Sequence, residues 1–227
     1  MAKIQSDDYH DFVIKDGKLI GEFDLMYQCS KQTPWHQDQQ ENWLDIRVIL
    51  DLLWEYGPFN YICDFGSGLG YLLDILKRNV GTPECKLTGY DVSPTCCKKA
   101  KEQFLNIDFH VLDLMRDIPH IHKERRKKDN RLFVIRGTLW YVFPNMENVV
   151  RNIASKTTDG DLLLVSQNFP PLDSNFVGKD IIPTPDKILG FFGSFFSPLK
   201  TIWIEDKLSD GNDNWFIATM RRWQEYE

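Results

Sequence analysis

The 227-residue sequence has no long hydrophobic run, and its five cysteines follow neither a metal-binding nor a disulfide spacing. Its longest aromatic cluster, at residues 191–196, is far too short to cross a bilayer. The first eight residues have no apolar core, which argues against a signal peptide. Isolated cysteines without a pairing pattern are typical of reduced thiols. We therefore expect a cytoplasmic protein without membrane association.

An excess of basic residues is also missing. The formal net charge is -6, whereas proteins that bind nucleic acid cluster Lys and Arg. One run, residues 123–131, carries six basic residues and is either a solvated loop or a docking patch for an anionic substrate or partner. His120 and His122 lie beside it without further ligands at a suitable spacing, so no metal is expected. A small-molecule ligand is favoured over nucleic acid, and the oligomeric state stays open.

The most informative stretch is residues 61–73, where an apolar run ends at Asp64 and Gly66, Gly68 and Gly70 follow at every second position. This pattern predicts a strand, a tight turn and a helix start. Glycine reaches positive φ values and lets a ligand approach the backbone closely. Asp91 ends the next apolar segment, where an acid can accept both hydroxyls of a ribose. The ligand is therefore expected to contain adenosine.

The glycine spacing separates two kinds of adenosine cofactor. The dinucleotide fingerprint requires glycine at its sixth position, and Tyr71 occupies that position here. The pattern Asp64-x-Gly66-x-Gly68-x-Gly70 resembles the first motif of class I S-adenosyl-L-methionine (SAM) dependent methyltransferases. The resemblance implies that this loop holds the methionine part of SAM, that Asp91 holds the ribose, and that the product is S-adenosyl-L-homocysteine (SAH). Another nucleotide-binding α/β protein, or a simple glycine turn, is the alternative.

The same resemblance implies roles for residues at other strand ends. Asp113 would accept a hydrogen bond from the adenine amino group with Leu114 near the ring; the alternative is that Asp113 caps a helix or a turn. Trp140 and Tyr141 would lie on the acceptor side, unless they pack in the core. The remaining residues expected at the cofactor are Ser67, Val92, Arg136 and Gly137.

Hydrophobic patterning predicts an α/β fold, namely a doubly wound, Rossmann-like seven-stranded sheet of five parallel strands plus a terminal antiparallel hairpin. The predicted parallel strands are residues 61–65, 87–91, 109–113, 131–136 and 161–166. Strands at 200–205 and 214–220 are joined by a turn so short that they must be antiparallel. An Asp-Gly pair at residues 16–17 predicts a small N-terminal hairpin. We expect residues 1–37 to form a hairpin and lid, and residues 38–227, beginning with a helix over 38–56, to form one SAM-binding domain.

A candidate for proton transfer lies in the segment Pro34-Trp35-His36-Gln37, which has no regular period. His36 is a possible general base because an imidazole titrates near neutrality, although a structural or solvent-facing role is an equal alternative. Trp35 and Gln37 are expected to contact the substrate from a lid, and Asn168 from the end of the fifth strand.

Two absences bear on the acceptor. The Asp/Asn-Pro-Pro-Tyr sequence of enzymes that methylate planar nitrogens does not follow the fourth strand, and no recognition domain is appended. A small polar acceptor, methylated on oxygen or nitrogen, is favoured. The hairpin, the lid segment and the loop at 178–183 resemble small methyltransferases of bacterial surface-polysaccharide pathways, which act on sugars or nucleotide-linked sugars. The rival reading is a non-catalytic SAM-fold protein that binds a nucleotide or a partner.

Overall fold

The computed structural model describes residues 8–116, 129–207 and 214–223, and its centre is a seven-stranded sheet. A separate two-stranded hairpin, β1 (Ile14–Lys15) and β2 (Lys18–Leu19), precedes it. The sheet strands are β3 (Phe59–Phe65), β4 (Gly81–Asp91), β5 (Asp108–Val111), β6 (Arg131–Arg136), β7 (Leu162–Phe169), β8 (Phe196–Ile204) and β9 (Asn214–Arg222).

The strand order is β5-β4-β3-β6-β7-β9-β8. Strands β3 to β7 are parallel to one another, and β9 runs antiparallel to both of its neighbours, β7 and β8. The predicted seven-stranded α/β sheet is thus confirmed. Because strand order reverses between β3 and β6, the carboxyl ends of these strands form the crevice in which α/β proteins bind ligands.

Seven helices accompany the sheet in the described residues, and two apolar clusters cover its faces. Alternation along β6 shows why both faces are buried: Leu132 and Val134 join one cluster, whereas Phe133 and Ile135 join the other. The helices are α1 (Phe23–Cys29), α2 (Leu44–Trp54), α3 (Tyr71–Val80), α4 (Pro94–Gln103), α5 (Leu139–Val142), α6 (Met146–Lys156) and α7 (Pro185–Phe192).

Several predicted boundaries were wrong. The helix expected over residues 38–56 is a 3-10 segment, Pro34–Asn42, followed by α2, because Trp43 between them is extended at φ -71° and ψ 146°. Strand β4 begins at Gly81, six residues before its predicted start, where it pairs with the first residue of β3. The third strand ends at Val111, so that Asp113 lies in the following turn.

Residues 8–43, which we call the N-terminal lid because the 3-10 segment Pro34–Asn42 continues past the predicted boundary at residue 37, are attached to the start of α4. The expected hairpin is present, and α1, which was not predicted, follows it. Asp24 of α1 accepts hydrogen bonds from the Ser93 hydroxyl at 2.6 Å and from the Thr95 amide at 2.8 Å. Lys99 of α4 donates to the carbonyl of Tyr27. The lid therefore shares polar contacts with the helix that follows Asp91.

Some predictions fall on residues outside the described part of the chain, namely the basic residues 123–128, His120 and His122. Arg131, the last basic residue of that run, is described and buried at the start of β6, where its Nε donates to Asp161 Oδ1 at 2.9 Å. It is therefore not part of a surface patch. In the part of the chain that is described, no helix combines the length and hydrophobicity needed to cross a bilayer.

Candidate functional site

A pocket of about 340 Å³ lies at the carboxyl ends of β3, β4 and β6, with the N-terminal lid forming one wall. Its position is the crevice expected from the reversal of strand order. It combines residues of the glycine loop, four strand ends and the lid. The lining residues used below are Tyr9, Phe23, Tyr27, Trp35, His36, Gln37, Gln40, Trp43, Asp64, Gly66, Ser67, Gly68, Asp91, Val92, Leu112, Asp113, Leu114, Met115, Arg136, Gly137, Thr138, Tyr141, Asn168 and Trp215.

The loop after β3 requires glycine at two positions. Gly66 and Gly68 have φ values of +78° and +53°, in the region that disfavours side chains. A Cβ on Gly68 would lie 2.4 Å from Oε1 of Gln37. That same oxygen accepts a hydrogen bond from the Leu69 amide at 2.8 Å, while the Gln37 amide donates to the Tyr27 hydroxyl at 3.1 Å. Gln37 thus joins the lid to the loop.

Asp91 is held by the backbone at the end of β4. Its Oδ2 accepts from the Gly68 amide and its Oδ1 from the Ser93 amide, both at 3.0 Å. Burial raises its pKa to about 6, although these backbone hydrogen bonds oppose the rise. Because each carboxylate oxygen has a second lone pair, the fixed carboxylate can still accept ligand hydroxyls.

Asp64 is a buried acid without a full set of partners. It is 3% exposed, and its Oδ1 has no hydrogen-bond partner within the described residues. Burial raises its pKa to about 7, the Arg136 cation opposes that rise and the charge of Asp91 adds to it. An incompletely satisfied carboxylate in a pocket wall fits a ligand that brings positive charge or hydrogen-bond donors.

Arg136, at the end of β6, is fixed by the lid and by α2. Its Nε donates to Asp45 at 2.8 Å and its Nη1 to Gln40 at 3.0 Å. Its guanidinium lies 4.5 Å from the ring centroid of Trp215 and 5.5 Å from that of Trp43. Burial raises the pKa of Asp45, and the Arg136 charge counters the rise. The positive charge of Arg136 is therefore largely neutralised within the protein.

The turn after β5 forms the other end of the pocket. Asp113 accepts from the Met115 amide at 3.0 Å and pairs with Arg116 at 3.0 Å, so it caps the turn as well as lining the pocket. Leu114 is buried and Val92 is 41% exposed. Apolar side chains flanking one carboxylate suit a flat heterocycle with an amino group at its edge.

Four aromatic rings line the lid side, and we call them the aromatic belt: Tyr9, Phe23, Trp35 and Tyr141. Ring centroids are 5.5 Å apart for Tyr9 and Trp35, 5.5 Å for Trp35 and Tyr141, and 5.3 Å for Phe23 and Tyr141. Next to the belt, His36 is exposed to solvent. Trp35 and His36 both have left-handed backbones, at φ 51° and 46°, a strain that residues bear mainly at functional sites.

The structure brings together all but two of the sequence-predicted site residues. Gly70 lies outside the pocket lining and begins α3 with φ +90°. Trp140 also lies outside it, donating from its indole to the Asn168 carbonyl at 2.6 Å and packing on Phe169 and Phe176. The side chain of Trp140 therefore occupies the packed environment that was its alternative interpretation, whereas Tyr141 faces the pocket.

Several lining residues were not predicted. Leu112 and Met115 flank Asp113 in sequence and could have been inferred from that position. The aromatic residues of the lid share a local signal, because rings are frequent between residues 9 and 43. Trp215 and Asp45 carry no such signal, since only the folded sheet brings them to Arg136. The other lining residues that sequence reasoning missed are Tyr9, Phe23, Tyr27, Gln40, Trp43, Leu72, Thr138 and Val142.

Solved structures of other proteins share this fold. The chain is similar to the N-methyltransferase NodS from Bradyrhizobium japonicum WM9 in complex with SAH, with TM-score 0.63, 15% identity and coverage of 84% of this chain and 92% of that one. It is similar to human N-acetylserotonin methyltransferase in complex with SAM, with TM-score 0.58, 18% identity and coverage of 90% and 56%. The [4+2]-cyclase SpnF matches with TM-score 0.55, 14% identity and coverage of 78% and 81%.

These likenesses establish the Rossmann-like fold of SAM-dependent methyltransferases. Within it, residues 62–160 match a family model described as a methyltransferase domain. This range contains the glycine loop, Asp91, Asp113 and Arg136. The chain thus combines a match to a methyltransferase domain model over residues 62–160 with the fold of SAM-dependent methyltransferases. No curated protein sequence matches the chain.

The pocket fits SAM on the evidence of its own residues. Gly66, Ser67 and Gly68 line the pocket, so a ligand can approach the backbone of this loop closely. Asp91 offers acceptors for ribose hydroxyls, and Asp64 retains an unpartnered oxygen where a cationic cofactor would be stabilised. Among the residues that the structure describes, no three His, Cys, Asp or Glu side chains form a metal-binding group.

Proposed function

We propose that the protein transfers a methyl group from SAM to an oxygen or nitrogen of a small polar acceptor, with a sugar as the leading candidate. The acceptor is taken to be a small molecule of the cytoplasm, not nucleic acid or a membrane. The single observation behind this proposal is the aromatic belt, which forms one wall of the cofactor pocket. An aromatic wall next to a small number of polar side chains suits a compact polar ligand.

SAM, when bound, supplies a methyl carbon attached to a positively charged sulfur. In-line displacement at that carbon requires positioning and exclusion of water more than acid-base chemistry. Asp91, Gly66, Ser67 and Gly68 hold the cofactor, and Asp113 with Leu114 and Val92 receives the adenine. The lid would cover the reacting atoms, with Gln37 in contact with the glycine loop and Trp35 in the adjoining pocket wall. Arg136, neutralised by Asp45, shapes the wall without contributing a free positive charge.

His36 is our candidate for accepting the proton of the acceptor, because it lines the pocket and also reaches solvent. A neutral imidazole accepts a proton at one ring nitrogen and passes it to water. Tyr141 lies nearby, but burial raises its pKa to about 12, so it is a poor base at neutral pH.

The test is SAH formation with a panel of monosaccharides, amino sugars, nucleotide-linked sugars and simple alcohols. We expect SAH above the acceptor-free rate with at least one compound. The variant His36→Ala should lower turnover about 100-fold or more while leaving the affinity for SAM within twofold. Unchanged turnover would exclude His36 as the base.

A role other than methyl transfer, including a non-catalytic one, is the second candidate, because the same fold carries a protein described as a [4+2]-cyclase. It would be favoured if SAM bound tightly and no member of the panel produced SAH.

A further inference from the structure

The charge of the N-terminal lid is the first observation that restricts the chemical class of the acceptor. Residues 8–43 contain seven carboxylates and three lysines, a net charge of -4 in a chain whose total is -6. Six of these acids are exposed, although Glu41 pairs with Arg78 at 2.8 Å, and they belong to the segment that contributes one wall of the pocket: Asp8, Asp11, Asp16, Glu22, Asp38 and Glu41. A concentration of one sign of charge near a cleft attracts ligands of the opposite sign.

The pocket itself is also negative. Asp64 and Asp91 line it, and Oδ1 of Asp64 has no hydrogen-bond partner within the described residues. Among the described lining residues, Arg136 is the one permanent cation, and its Nη2 lies 2.6 Å from Oδ2 of Asp45. A phosphate or diphosphate group entering here would meet two carboxylates and one cation that is already neutralised.

The aromatic belt is the third observation. Its four rings line the same pocket as the carboxylates, and each ring contacts the next in the order Tyr9, Trp35, Tyr141 and Phe23. Aromatic faces attract ammonium groups through the ring quadrupole, and the attraction grows as the group leaves water. Arg136 already shows the same preference in this pocket, since its guanidinium lies over Trp215 and Trp43.

We infer that the acceptor is an aliphatic amine that enters the pocket as an ammonium ion and is methylated on nitrogen. This inference rests on the proposed function and names the substrate class for the same site. The nucleotide-linked sugars considered above do not fit it, because their diphosphate adds negative charge to a negative pocket. An amino sugar fits, because its ammonium group can contact the aromatic belt and its positive charge complements the negative pocket.

The proposed methyl transfer conserves atoms and charge. The ammonium group loses one proton to a ring nitrogen of His36, which exchanges it with water. The free nitrogen lone pair then forms a carbon–nitrogen bond to the methyl carbon, while the carbon–sulfur bond breaks with its electron pair remaining on sulfur. The products are SAH and an N-methylammonium ion, and the net reaction releases one proton.

Binding of acceptors to the SAH-loaded protein tests the inference without requiring turnover. The panel is glucosamine with its matched partner glucose, phenethylamine with 2-phenylethanol, and UDP-glucose. We expect each amine to bind about tenfold more tightly than its hydroxyl partner, and UDP-glucose to bind most weakly. Equal or weaker binding of the amines, including no detectable binding at all, would overturn the inference.

Two variants test whether the aromatic belt causes the preference for amines over hydroxyl compounds. Trp35→Leu should reduce the ratio of amine to hydroxyl affinity severalfold, and Tyr141→Leu provides a second variant if the strained turn at Trp35 does not tolerate replacement. Trp54→Leu is the matched control, because Trp54 is 75% exposed and lies outside the pocket lining. A ratio unchanged in both belt variants would refute the role of the rings.

The position of the methyl group is read from the product made with ¹³C-methyl SAM. An N-methyl carbon signal supports the inference, whereas an O-methyl signal overturns it and leaves the proposed methyl transfer intact. Absence of any labelled product with an amine that does bind would count against the proposed function instead.

Discussion

Asp91 illustrates how one side chain is prepared for a ligand before the ligand arrives. Two backbone amides hold its carboxylate in place in the folded protein. Ligand binding therefore does not have to order this side chain. Replacing Asp91 with alanine should weaken SAM binding by about 1 to 3 kcal/mol, the usual contribution of charge-assisted hydrogen bonds. Calorimetric titration of the variant measures this change. An affinity equal to that of the wild type would reject the ribose role of Asp91.

Asp64 should couple the stability of the ligand-free protein to pH. Its folded-state pKa of about 7 lies above the ordinary value of 3.8, so folding favours the protonated form. Its contribution is therefore present below about pH 4 and is lost as the pH rises towards 7.

Asn mimics the protonated carboxyl group, so Asp64→Asn should raise the melting temperature at pH 8 and have little effect at pH 4. The same variant should bind SAM more weakly, which is the usual conflict between stability and function at a binding site. Thermal unfolding at both pH values without SAM provides the measurement. A gain that is equal at pH 4 and pH 8 would contradict the pKa assignment.

At the scale of elements, the lid depends on a few polar contacts with α4. The largest effect on the Asp24 carboxyl is burial, yet hydrogen bonds from Ser93, Thr95 and Gln28 outweigh it and lower its pKa. Asp24 thus acts as an acceptor at the start of α4, where helix amides lack partners.

Asp24→Ala should loosen the lid at a cost of about 1 kcal/mol. Hydrogen–deuterium exchange should then rise across residues 8–43 and stay unchanged in β6 and β7. Asp51→Ala, on the exposed side of α2, is the matched control. Increased exchange in the sheet, or none in the lid, would show that these contacts do not hold the lid.

The elements also show what a sequence can predict. The glycine loop and Asp91 were predictable because their spacing within one strand-turn-helix unit is local and is dictated by backbone geometry. The parallel strands were predictable from continuous apolar runs. The start of β4 was not, because pairing with β3 extends it through the polar residues 81–86.

The composition of the pocket wall was predictable only in part. His36, Trp35 and Gln37 stood out as an irregular aromatic segment. The ion pair of Arg136 could not be predicted, because its partner Asp45 lies 91 residues away in sequence. No local pattern links the two residues. Trp140 and Tyr141 are adjacent and chemically alike, yet the direction of the α5 turn places one in a packed cluster and the other in the pocket.

For the whole molecule, stability depends on the buried ion pair that joins β6 to the turn before β7. Arg131 and Asp161 are 7% and 0% exposed. Removing one partner leaves a buried charge uncompensated, so Arg131→Met should lower the free energy of unfolding by about 3 to 5 kcal/mol. The control is Lys200→Met, whose partner Glu55 is exposed, and it should be nearly neutral.

Chemical denaturation of both variants gives the comparison. Equal effects of the two substitutions would mean that the β6–β7 pair is not the structural element inferred here.

The central claim, that this α/β pocket binds SAM, is tested most directly by calorimetric titration with SAM, SAH and NAD in parallel. We predict micromolar binding of SAM and SAH and no binding of NAD, because the glycine spacing and the position of Asp91 suit the shorter cofactor. Binding of NAD alone would contradict the account, and the chemistry proposed for the lid and the aromatic belt would fall with it.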